Sequence, residues 1–369
     1  GSGSGPWGPG AGGAKKIRDM FAPEVRIEVP LAERFLGEEE QLITLTHDQA
    51  RLLRAHGRNR RMVVTGMAGS GKTMLAVERA KALAAKGQKV LFICFNRALR
   101  DHLRKVEKDS EVLFNTFHGA CMALAKRAEV PLTDYEKGKA PPEFFSEELP
   151  LALLSAVDKL GPQYDALFVD EAQDLHNDWL DALMATLKDP DDAYVWLFMD
   201  DNQRVYDNQL EVPDGCHHYG LTCNCRNTKA IHNEVMKKYE GEIEPEPMGP
   251  EGRDVDYYPT DDQPGTVRKL IAHLCEKEEV LPQDIVVLSS HALEKSAVGA
   301  AGAGDYTFSK DPAPVGKEIL FSSIRGFKGL ESPVVILCEL EDVDDATIDQ
   351  QLYVGFSRAK NHCLVVAPG

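Results

Sequence analysis

Residues 66–73 read GMAGSGKT, a glycine-rich stretch that fits the pattern G-x-x-x-x-G-K-[ST]. An apolar run at 61–66 precedes it and a helical run follows, which is the context a phosphate-binding loop requires. Glycines let backbone N–H groups approach phosphate oxygens, and the positive end of the following helix adds attraction. Lys72 is expected to reach the β- and γ-phosphates, and Thr73 to bind Mg²⁺. The stretch predicts a nucleotide site built from Gly66, Gly69, Ser70, Gly71, Lys72 and Thr73.

A second group of candidate residues lies in ALFVDEAQD, residues 166–174. An apolar strand there ends in Asp170, which is placed to hold the Mg²⁺ shell. The next residue, Glu171, is placed to orient and deprotonate a water molecule. A kinase that transfers phosphate to a small molecule has less use for this second acid. The Asp-Glu pair therefore favours nucleotide hydrolysis.

Cysteine and histidine side chains are concentrated in DGCHHYGLTCNCRNT, residues 214–228. Cys216, His217, His218, Cys223 and Cys225 have the ligand chemistry of zinc. No second C-x-x-C or H-x-x-x-H pair completes a closed tetrahedral site. We therefore expect strand thiols and loop imidazoles here, and no zinc.

Composition limits the class of protein. The chain has 369 residues, of which 43% are hydrophobic and 27% charged, as in soluble globular proteins of two or three domains. No apolar run approaches the roughly 18 residues of a membrane span, and eight cysteines are too sparse for a disulfide framework. We expect a cytoplasmic protein with no membrane partner. A net charge of −17 argues against non-specific wrapping of nucleic acid, although a local basic groove is compatible with it.

Short apolar runs alternate with helical stretches from Leu42 onward. RMVVTG (61–66) and KVLFICF (89–95) are predicted strands, and the helix 73–86 between them should stop at Gly87. Strands this apolar, alternating with helices, indicate parallel sheets covered on both faces, hence an α/β fold. The segment 241–254 is rich in Pro, Gly and Glu and is predicted to be a loop. The first 39 residues begin with GSGSGPWGPGAGG, which suits a flexible linker or cloning remnant and an N-terminal extension.

The order of these motifs resembles that of superfamily 1 helicases of the UvrD/Rep kind. DEAQD after an apolar strand is the signature of that family. The other motifs of the family are present in the family's order along the chain: LTHDQARLL (45–53), GMAGSGKT (66–73), FNRA (95–98), NTFHGAC (115–121), MDDNQRVY (199–206), NCRNT (224–228), SSIRGFKGLE (322–331) and YVGFSRAK (353–360). The length and the KGLE-to-SRAK spacing also resemble the helicase half of proteins with an upstream nuclease-related domain (NERD helicases).

The resemblance implies two RecA-like P-loop domains with ATP at their interface and without large accessory insertions. The first would span residues 40–215 and the second residues 216–369. Gln49 would read the adenine edge, Gln203 would sense the γ-phosphate, and Glu331 would bind the ribose. Arg226 and Arg358 would enter the cleft from the second domain, so hydrolysis would depend on domain closure. The expected cofactors are ATP and Mg²⁺.

The resemblance also implies contacts with a nucleic-acid strand. The matching positions are Asn96, Thr116, His118, Tyr206, Ser323 and Lys328. A structural role, such as a helix cap or a core histidine, fits each of them equally well. The chain departs from the family pattern at Cys225, where an aromatic residue usually stacks on adenine, and it lacks the Trp that usually follows Tyr206. Adenine stacking and strand stacking are therefore expected to be weaker.

Two functions remain open from the sequence. The first is an ATPase that translocates on a single strand, most readily DNA but also RNA, with 3′→5′ polarity implied by the family. The second is an ATP switch that positions a fused nuclease or a partner protein and moves little along the strand. The missing Trp and accessory domains keep the second hypothesis open.

Overall fold

A computed structural model describes residues 30–55, 57–136, 139–200, 210–239, 244–340 and 347–368. The side chains of residues 36, 44 and 46–55 are outside this description. Within the described residues the fold is built on two six-stranded sheets and one two-stranded ladder. All strand pairs are parallel, so the predicted α/β class is confirmed.

The first sheet carries the glycine-rich loop. Its strands are β1 (Arg61–Gly66), β2 (Val90–Cys94), β3 (Leu113–Thr116), β4 (Ala166–Val169), β5 (Tyr194–Met199) and β6 (His217–Leu221). They lie in the order β3-β2-β4-β5-β1-β6. The central strands β2 and β4 are buried at every position, as the continuous apolar runs predicted. This order places the carboxyl ends of β4, β5 and β1 side by side.

Helices cover both faces of this sheet. They are α2 (Lys72–Ala84), α3 (Arg97–Val106), α4 (Phe117–Arg127), α5 (Leu149–Leu160) and α6 (Asn177–Met184), with a π-helical turn at Phe144–Glu148. Helix α2 ends three residues before Gly87, which has a φ of 82° and turns the chain toward β2. Helix α3 begins at Asn96, whose side chain accepts a hydrogen bond from the Leu99 N–H. The predicted elements of this half are thus confirmed to within a few residues.

The second sheet has the order β11-β12-β10-β13-β14-β9. Its strands are β9 (Asp256–Pro259), β10 (Ile285–Ser289), β11 (Thr307–Ser309), β12 (Glu318–Ser323), β13 (Ser332–Cys338) and β14 (Ala359–Ala367). The helices of this half are α7 (Lys229–Met236), α8 (Gln263–Glu276), α9 (Ala297–Ala301) and α10 (Ile348–Ser357). The segment predicted as a loop at 241–254 contains a two-residue strand, β8 (Glu246–Pro247), paired with β7 (Cys223–Asn224).

Element ends do not coincide with the predicted domain boundaries. Helix α1 (Leu31–Ala55) runs through residue 40, and its first turns pack on the second sheet through Leu31 and Phe35. Strand β6 lies beyond residue 215 and pairs with β1 in the first sheet, with Met62 opposite His217. Helix α1 therefore spans both halves, and the first sheet takes its edge strand from the chain beyond the predicted boundary.

Apolar side chains of both sheets meet in one core. This core includes Leu75 and Leu99 from the helices of the first half, and Val286, Phe327 and Tyr353 from the second half. The two halves therefore share buried apolar surface as well as a polar cleft. Within the described residues no helix is both long and apolar enough to cross a bilayer.

The second half contains a buried histidine whose protonation is unfavourable in the fold. His362 on β14 is 1% exposed, and its Nε2 lies 3.3 Å from Asp256 Oδ2. Its Nδ1 is buried without a hydrogen-bond partner among the described residues. Burial, with the nearby charge of Arg253, lowers the pKa of His362 from 6.5 to about 4. The folded state therefore holds a neutral ring.

We expect the protein to lose stability as the pH falls from 6.5 to 4, because only the unfolded state binds this proton readily. The contribution of His362 should be on the order of 2–3 kcal/mol at pH 4. Chemical denaturation of the wild type and of His362→Leu between pH 7.5 and 4 measures it. The variant should show a shallower acid-side loss, and equal slopes for both proteins would contradict the assignment.

Candidate active site

Three neighbouring strands of the first sheet end in the polar residues of the candidate site. Strand β1 leads into the glycine-rich loop with Lys72, β4 ends before Asp170, and β5 ends before Asp200. Because β4, β5 and β1 are adjacent and parallel, their carboxyl ends meet at one edge. The sheet order thus brings together residues that are up to 128 positions apart.

The Lys72 ammonium folds back onto its own loop. Its Nζ donates to the carbonyl oxygens of Gly66 at 2.7 Å and Met67 at 2.9 Å. The same Nζ lies 3.4 Å from Asp200 Oδ2, and the two side chains are 7% and 1% exposed. A buried ammonium needs such partners, because unpaired charge inside a protein is costly. A phosphate entering the loop would have to replace them.

Asp170 and Thr73 form the candidate cation site. Thr73 Oγ1 donates to Asp170 Oδ2 at 2.7 Å, and Asp170 Oδ1 is buried without a partner among the described residues. Burial, reinforced by the charge of Glu171, raises the pKa of Asp170. A hydroxyl beside an unsatisfied carboxylate oxygen fits Mg²⁺, which takes few protein ligands and completes its shell with water and phosphate oxygens.

The neighbouring acid, Glu171, is held in a defined orientation. Its backbone adopts a φ of 54°, in the left-handed region where non-glycine residues are uncommon. Gln173 Nε2 donates to Glu171 Oε2 at 2.6 Å, while Gln173 Oε1 accepts from the Asp200 N–H at 3.1 Å. Burial opposes ionisation of Glu171, but the charges of Lys328, Lys72 and Arg358 outweigh it and lower its pKa. Glu171 is therefore an ionised carboxylate in a dry site.

The lysine that helps to ionise Glu171 comes from the second half of the chain. Lys328 Nζ lies 2.5 Å from Asp174 Oδ2 and 3.4 Å from Glu171 Oε2. It also sits 4.9 Å from the centre of the Phe95 ring. Lys328 is 2% exposed, so this arrangement differs from the predicted contact with a nucleic-acid strand. The reason is electrostatic: the two buried carboxylates attract the ammonium into the interface.

The second sheet faces the cleft with the amino ends of its strands. Glu331 directly precedes β13, and Arg358 directly precedes β14. Arg358 is 7% exposed, and its guanidinium donates to Ser357 Oγ at 2.9 Å. Arg226, which follows β7, forms an ion pair with Glu331. Burial opposes the ionisation of Glu331, but Arg226 and Lys360 lower its pKa overall.

Two cavities join at this interface. The smaller, of about 30 Å³, is lined by residues from both halves, including Lys72, Glu171, Asp200, Arg226 and Arg358. It has room for only one or two water molecules. The larger, of about 420 Å³, shares Thr73, Arg226, Gly329 and Glu331 with the first. Its walls combine apolar side chains, such as Met74, Val77 and Leu99, with polar ones, such as His102 and Gln283.

Two residues of the second half that lie against the glycine-rich loop were not predicted, namely Tyr353 and Asn227, whose Oδ1 lies against Gly69. Tyr353 OH accepts a hydrogen bond from the Ala68 N–H at 2.8 Å, and the tyrosine is fully buried. Asn227 Nδ2 donates to the carbonyl oxygens of Ala359 at 2.6 Å and Ser357 at 3.2 Å. Both residues belong to stretches already singled out, NCRNT and YVGFSRAK, but their side-chain types alone do not indicate an interdomain role.

The remaining predicted nucleotide contacts divide into two groups. Gly69 and Gly71 have φ angles of 84° and 83°, and Ser70 is fully buried, as a phosphate-binding loop requires. Gln49 lies in α1, but its side chain is outside the described part of the chain. Gln203 and Tyr206 also fall outside it, in 201–209. Cys225 is 2% exposed and does not line either cavity.

The predicted strand contacts mostly have structural partners. Asn96 caps α3 and donates to the carbonyl oxygen of Lys328 at 2.8 Å, so it joins the two halves. Thr116 caps α4 by accepting from the Gly119 N–H and is 8% exposed. Ser323 Oγ accepts from the Gly326 N–H at 3.1 Å. His118 lies among aromatic rings at the start of α4. All four lie at or just beyond carboxyl ends of strands.

The cysteine and histidine residues near Arg226 are spread over different environments. His217 and His218 are exposed on β6, whereas Cys225 is buried. Among the residues that the structure describes, no group of three or more His, Cys, Asp or Glu side chains could hold a metal ion. The absence of zinc stays a prediction.

Comparisons with known proteins give one family match and several distant structural likenesses. A family described as "AAA domain" matches residues 49–209, which contain the glycine-rich loop and the DEAQD segment. No curated protein matches the sequence. Three solved structures have a related chain course. The arterivirus helicase non-structural protein 10 is 14% identical with a TM-score of 0.40, and the match covers 84% of this chain and 60% of that chain. For the PRRSV helicase the identity is 16%, the TM-score 0.43 and the coverages 85% and 54%, and for the arterivirus protein in complex with DNA they are 15%, 0.40, 84% and 62%. These likenesses are too distant to carry a functional argument, and the chain spans less than two thirds of each of those proteins.

The contact between Gly69 and the second half offers a direct test of the closed interface. A methyl group at Gly69 would overlap Asn227 Oδ1 and lie 2.9 Å from Asn224 Oδ1. Asn227 cannot yield without losing its hydrogen bonds to β14 and α10. We expect Gly69→Ala to lower nucleotide turnover at least about tenfold, since about 1.4 kcal/mol of misalignment suffices.

The matched control is Gly87→Ala. Gly87 has nearly the same φ, 82°, but a methyl group there meets nothing within 4 Å. Both variants carry the left-handed backbone penalty of about 1–2 kcal/mol, and only Gly69→Ala carries the clash. Steady-state hydrolysis and thermal denaturation of both proteins separate the two effects. Equal turnover in the two variants would show that the interface does not govern the site.

Proposed function

We propose that this chain is the core of an ATP-dependent motor or helicase that acts on single-stranded nucleic acid. The observation that carries the proposal is the composite cleft, in which Lys72, Thr73 and Glu171 of the first half line one cavity with Arg226 and Arg358 of the second half. The match of residues 49–209 to an AAA domain supports nucleotide binding. The assignment to the superfamily 1 helicases rests on the ordered motifs.

The chemistry of the site suits hydrolysis of the γ-phosphate. Ionised Glu171 would orient a water molecule and accept its proton while the water oxygen attacks the γ-phosphorus and the bond to the bridging oxygen breaks. Lys72, Arg226 and Arg358 would neutralise charge that develops on the phosphate oxygens. Arginines of this kind are worth about 10³–10⁵ in rate in nucleotide hydrolases. Thr73 and Asp170 would hold Mg²⁺, which when bound supplies charge neutralisation across the phosphates.

Nucleotide binding must rearrange the cleft. The cavity at the glycine-rich loop has only about 30 Å³, and Lys72 and Arg226 are engaged with protein partners. A triphosphate would draw Lys72 from the Gly66 and Met67 carbonyls and Arg226 from Glu331. Glu331 would then be free to accept hydrogen bonds from the ribose. The neighbouring 420 Å³ cavity, with its mixed apolar and polar walls, would take the base.

A motor also needs residues in both halves that bind the nucleic-acid strand. Asn96 and His118 lie at the carboxyl edge of the first sheet, and Ser323 lies at the carboxyl end of β12 in the second. We propose translocation with 3′→5′ polarity on single-stranded DNA, with RNA as the other substrate class. Unwinding by this chain alone is expected to be weak. The cytoplasm is the proposed location.

One observation favours the alternative, an ATP switch acting on a fused nuclease domain or a partner protein. Thr116 and Lys328, two of the predicted strand contacts, are 8% and 2% exposed and hold a helix end and the domain interface. A protein with fewer available strand contacts could close on ATP without moving along a strand. The effect of a strand on hydrolysis separates the two functions.

The first test is Mg²⁺-dependent ATP hydrolysis, measured with and without oligothymidylate and oligouridylate. A motor should hydrolyse ATP several times faster with one or both strands, because strand binding favours the closed cleft. An equal rate of ATP hydrolysis with and without either strand would favour the switch. A chain that neither binds nor hydrolyses ATP would contradict both.

The second test concerns the role of Glu171. Glu171→Gln should retain ATP binding, because the phosphate contacts of Lys72 and the loop remain, but it should lose turnover by at least about 10²-fold. Lys72→Ala is the control that should lose binding as well. A fluorescent nucleotide measures binding, and released phosphate measures turnover. Full turnover by Glu171→Gln would disprove the assigned base.

A further inference from the structure

Aromatic rings form a continuous row at the carboxyl edge of the first sheet. Trp179, in the first turn of α6, stacks on Phe117 with 4.6 Å between ring centres and an angle of 9°. His118 and His176 each meet Trp179 edge-on at 4.8 Å. The row continues beyond His118 through rings whose successive centres lie 5.2–5.3 Å apart, namely Phe145, Phe144 and Tyr135.

Several rings of this row are partly exposed, unlike four rings on strands β2, β4 and β5. Phe92, Phe168, Trp196 and Phe198 on the strands are fully buried. Phe117 is also buried, but Tyr135 is 38% exposed, and Trp179, Phe144 and Phe145 are half-buried. Phe144, Phe145 and Trp179 pack against the core and are also partly exposed. A contiguous set of such rings offers apolar surface to a partner, and exposed apolar patches mark interaction surfaces. We call the set of Tyr135, Phe144, Phe145, His118 and Trp179 the aromatic row.

Cations lie beside the aromatic row. Arg97, which follows β2, is exposed and close enough to His118 for its charge to lower the pKa of the imidazole, after burial as the main cause. Arg325, which follows β12 in the other half, is also exposed. Asn96 Nδ2 lies 3.4 Å from the carbonyl oxygen of Gly326, so the two arginines flank one contact between the halves. The exposed acids Glu143, Glu147 and Asp178 lie in the same segments as Phe144, Phe145 and Trp179, so a polyanion would place its phosphates on the side of the two arginines.

The histidine within the row is suited to stacking. Burial lowers the pKa of His118, so its ring is neutral at pH 7. Its Nε2 is buried and has no hydrogen-bond partner among the described residues. The row therefore combines neutral rings with arginines along its side, the combination by which proteins hold single strands without reading their sequence.

We propose that the aromatic row is a base-stacking platform for single-stranded nucleic acid, with Trp179 as its principal ring and Arg97 as a phosphate contact. This inference rests on the proposed function and adds a binding surface to it. Trp179 comes from α6, the helix after DEAQD, whereas the Trp of the family pattern follows Tyr206. The Glu211 N–H donates to Asn177 Oδ1 at 2.8 Å, so the chain at residue 211 lies beside the start of α6.

The test compares oligothymidylate with an abasic oligomer of equal length and charge, by fluorescence anisotropy with the whole chain. Wild-type protein should bind the abasic oligomer at least about tenfold more weakly, since stacking is a large part of single-strand affinity. In Trp179→Ala this ratio should fall to within about twofold, with affinity for the abasic oligomer unchanged. Arg97→Ala should weaken binding of both oligomers and keep the ratio. An oligouridylate arm shows whether RNA is held in the same way.

Basal ATP hydrolysis without a strand should be unchanged in Trp179→Ala, which shows that the fold is intact. If that variant fails to fold, acrylamide quenching in a Trp7→Phe background gives the answer, because Trp196 is fully buried. Oligothymidylate should then protect the remaining accessible indole severalfold. Equal binding of both oligomers by the wild type, or no protection, would overturn the platform and leave the proposed function standing. Failure to bind any strand would overturn both.

Discussion

The closed structure depends on one buried ammonium group, that of Lys328, placed between Asp174 and Glu171. The lysine belongs to the second half of the chain and the two acids to the first. Removing charges from water is expensive, and leaving one of them unpaired in the interior costs about 3–5 kcal/mol. The ammonium therefore offsets the cost of burying the two acids in the closed interface, and it keeps Glu171 ionised there. Conformation and catalytic state are linked through this one cation.

The two sheets contribute opposite ends of their strands to the cleft. Nucleotide binding at the amino ends of the second sheet could therefore affect the carboxyl ends of the same strands. The first sheet presents carboxyl ends, with Asp170 and Asp200, whereas the second presents amino ends, with Glu331 and Arg358. The segment 324–331 joins the carboxyl end of β12 to the amino end of β13. It carries Lys328 at the interface and ends at Glu331 beside the larger cavity. A displacement of this segment would therefore affect both edges.

Features that depend on neighbouring residues in the sequence could be predicted, whereas the distant partners of buried charged side chains could not. The glycine-rich loop, the apolar strands and Asp170 with Glu171 follow from local composition and lie where expected. Lys328 was predicted to contact a strand from the family resemblance alone, and nothing in its local sequence indicates that it is buried. The boundary at residue 40 falls inside α1, since a charged helix can join two domains without an apolar pattern of its own. The aromatic row was missed because its rings come from four separate segments.

The central claim is that Lys328 and the DEAQD acids act as one unit across the interface. A double-mutant cycle on ATP turnover with Lys328→Met and Asp174→Asn tests it most directly, because residues in one buried network do not act additively. Each single variant should lose turnover, with the larger loss in Lys328→Met, which leaves two carboxylates unpaired. The double variant should turn over at least as fast as Lys328→Met. Losses that multiply, or full turnover in Lys328→Met, would contradict the account.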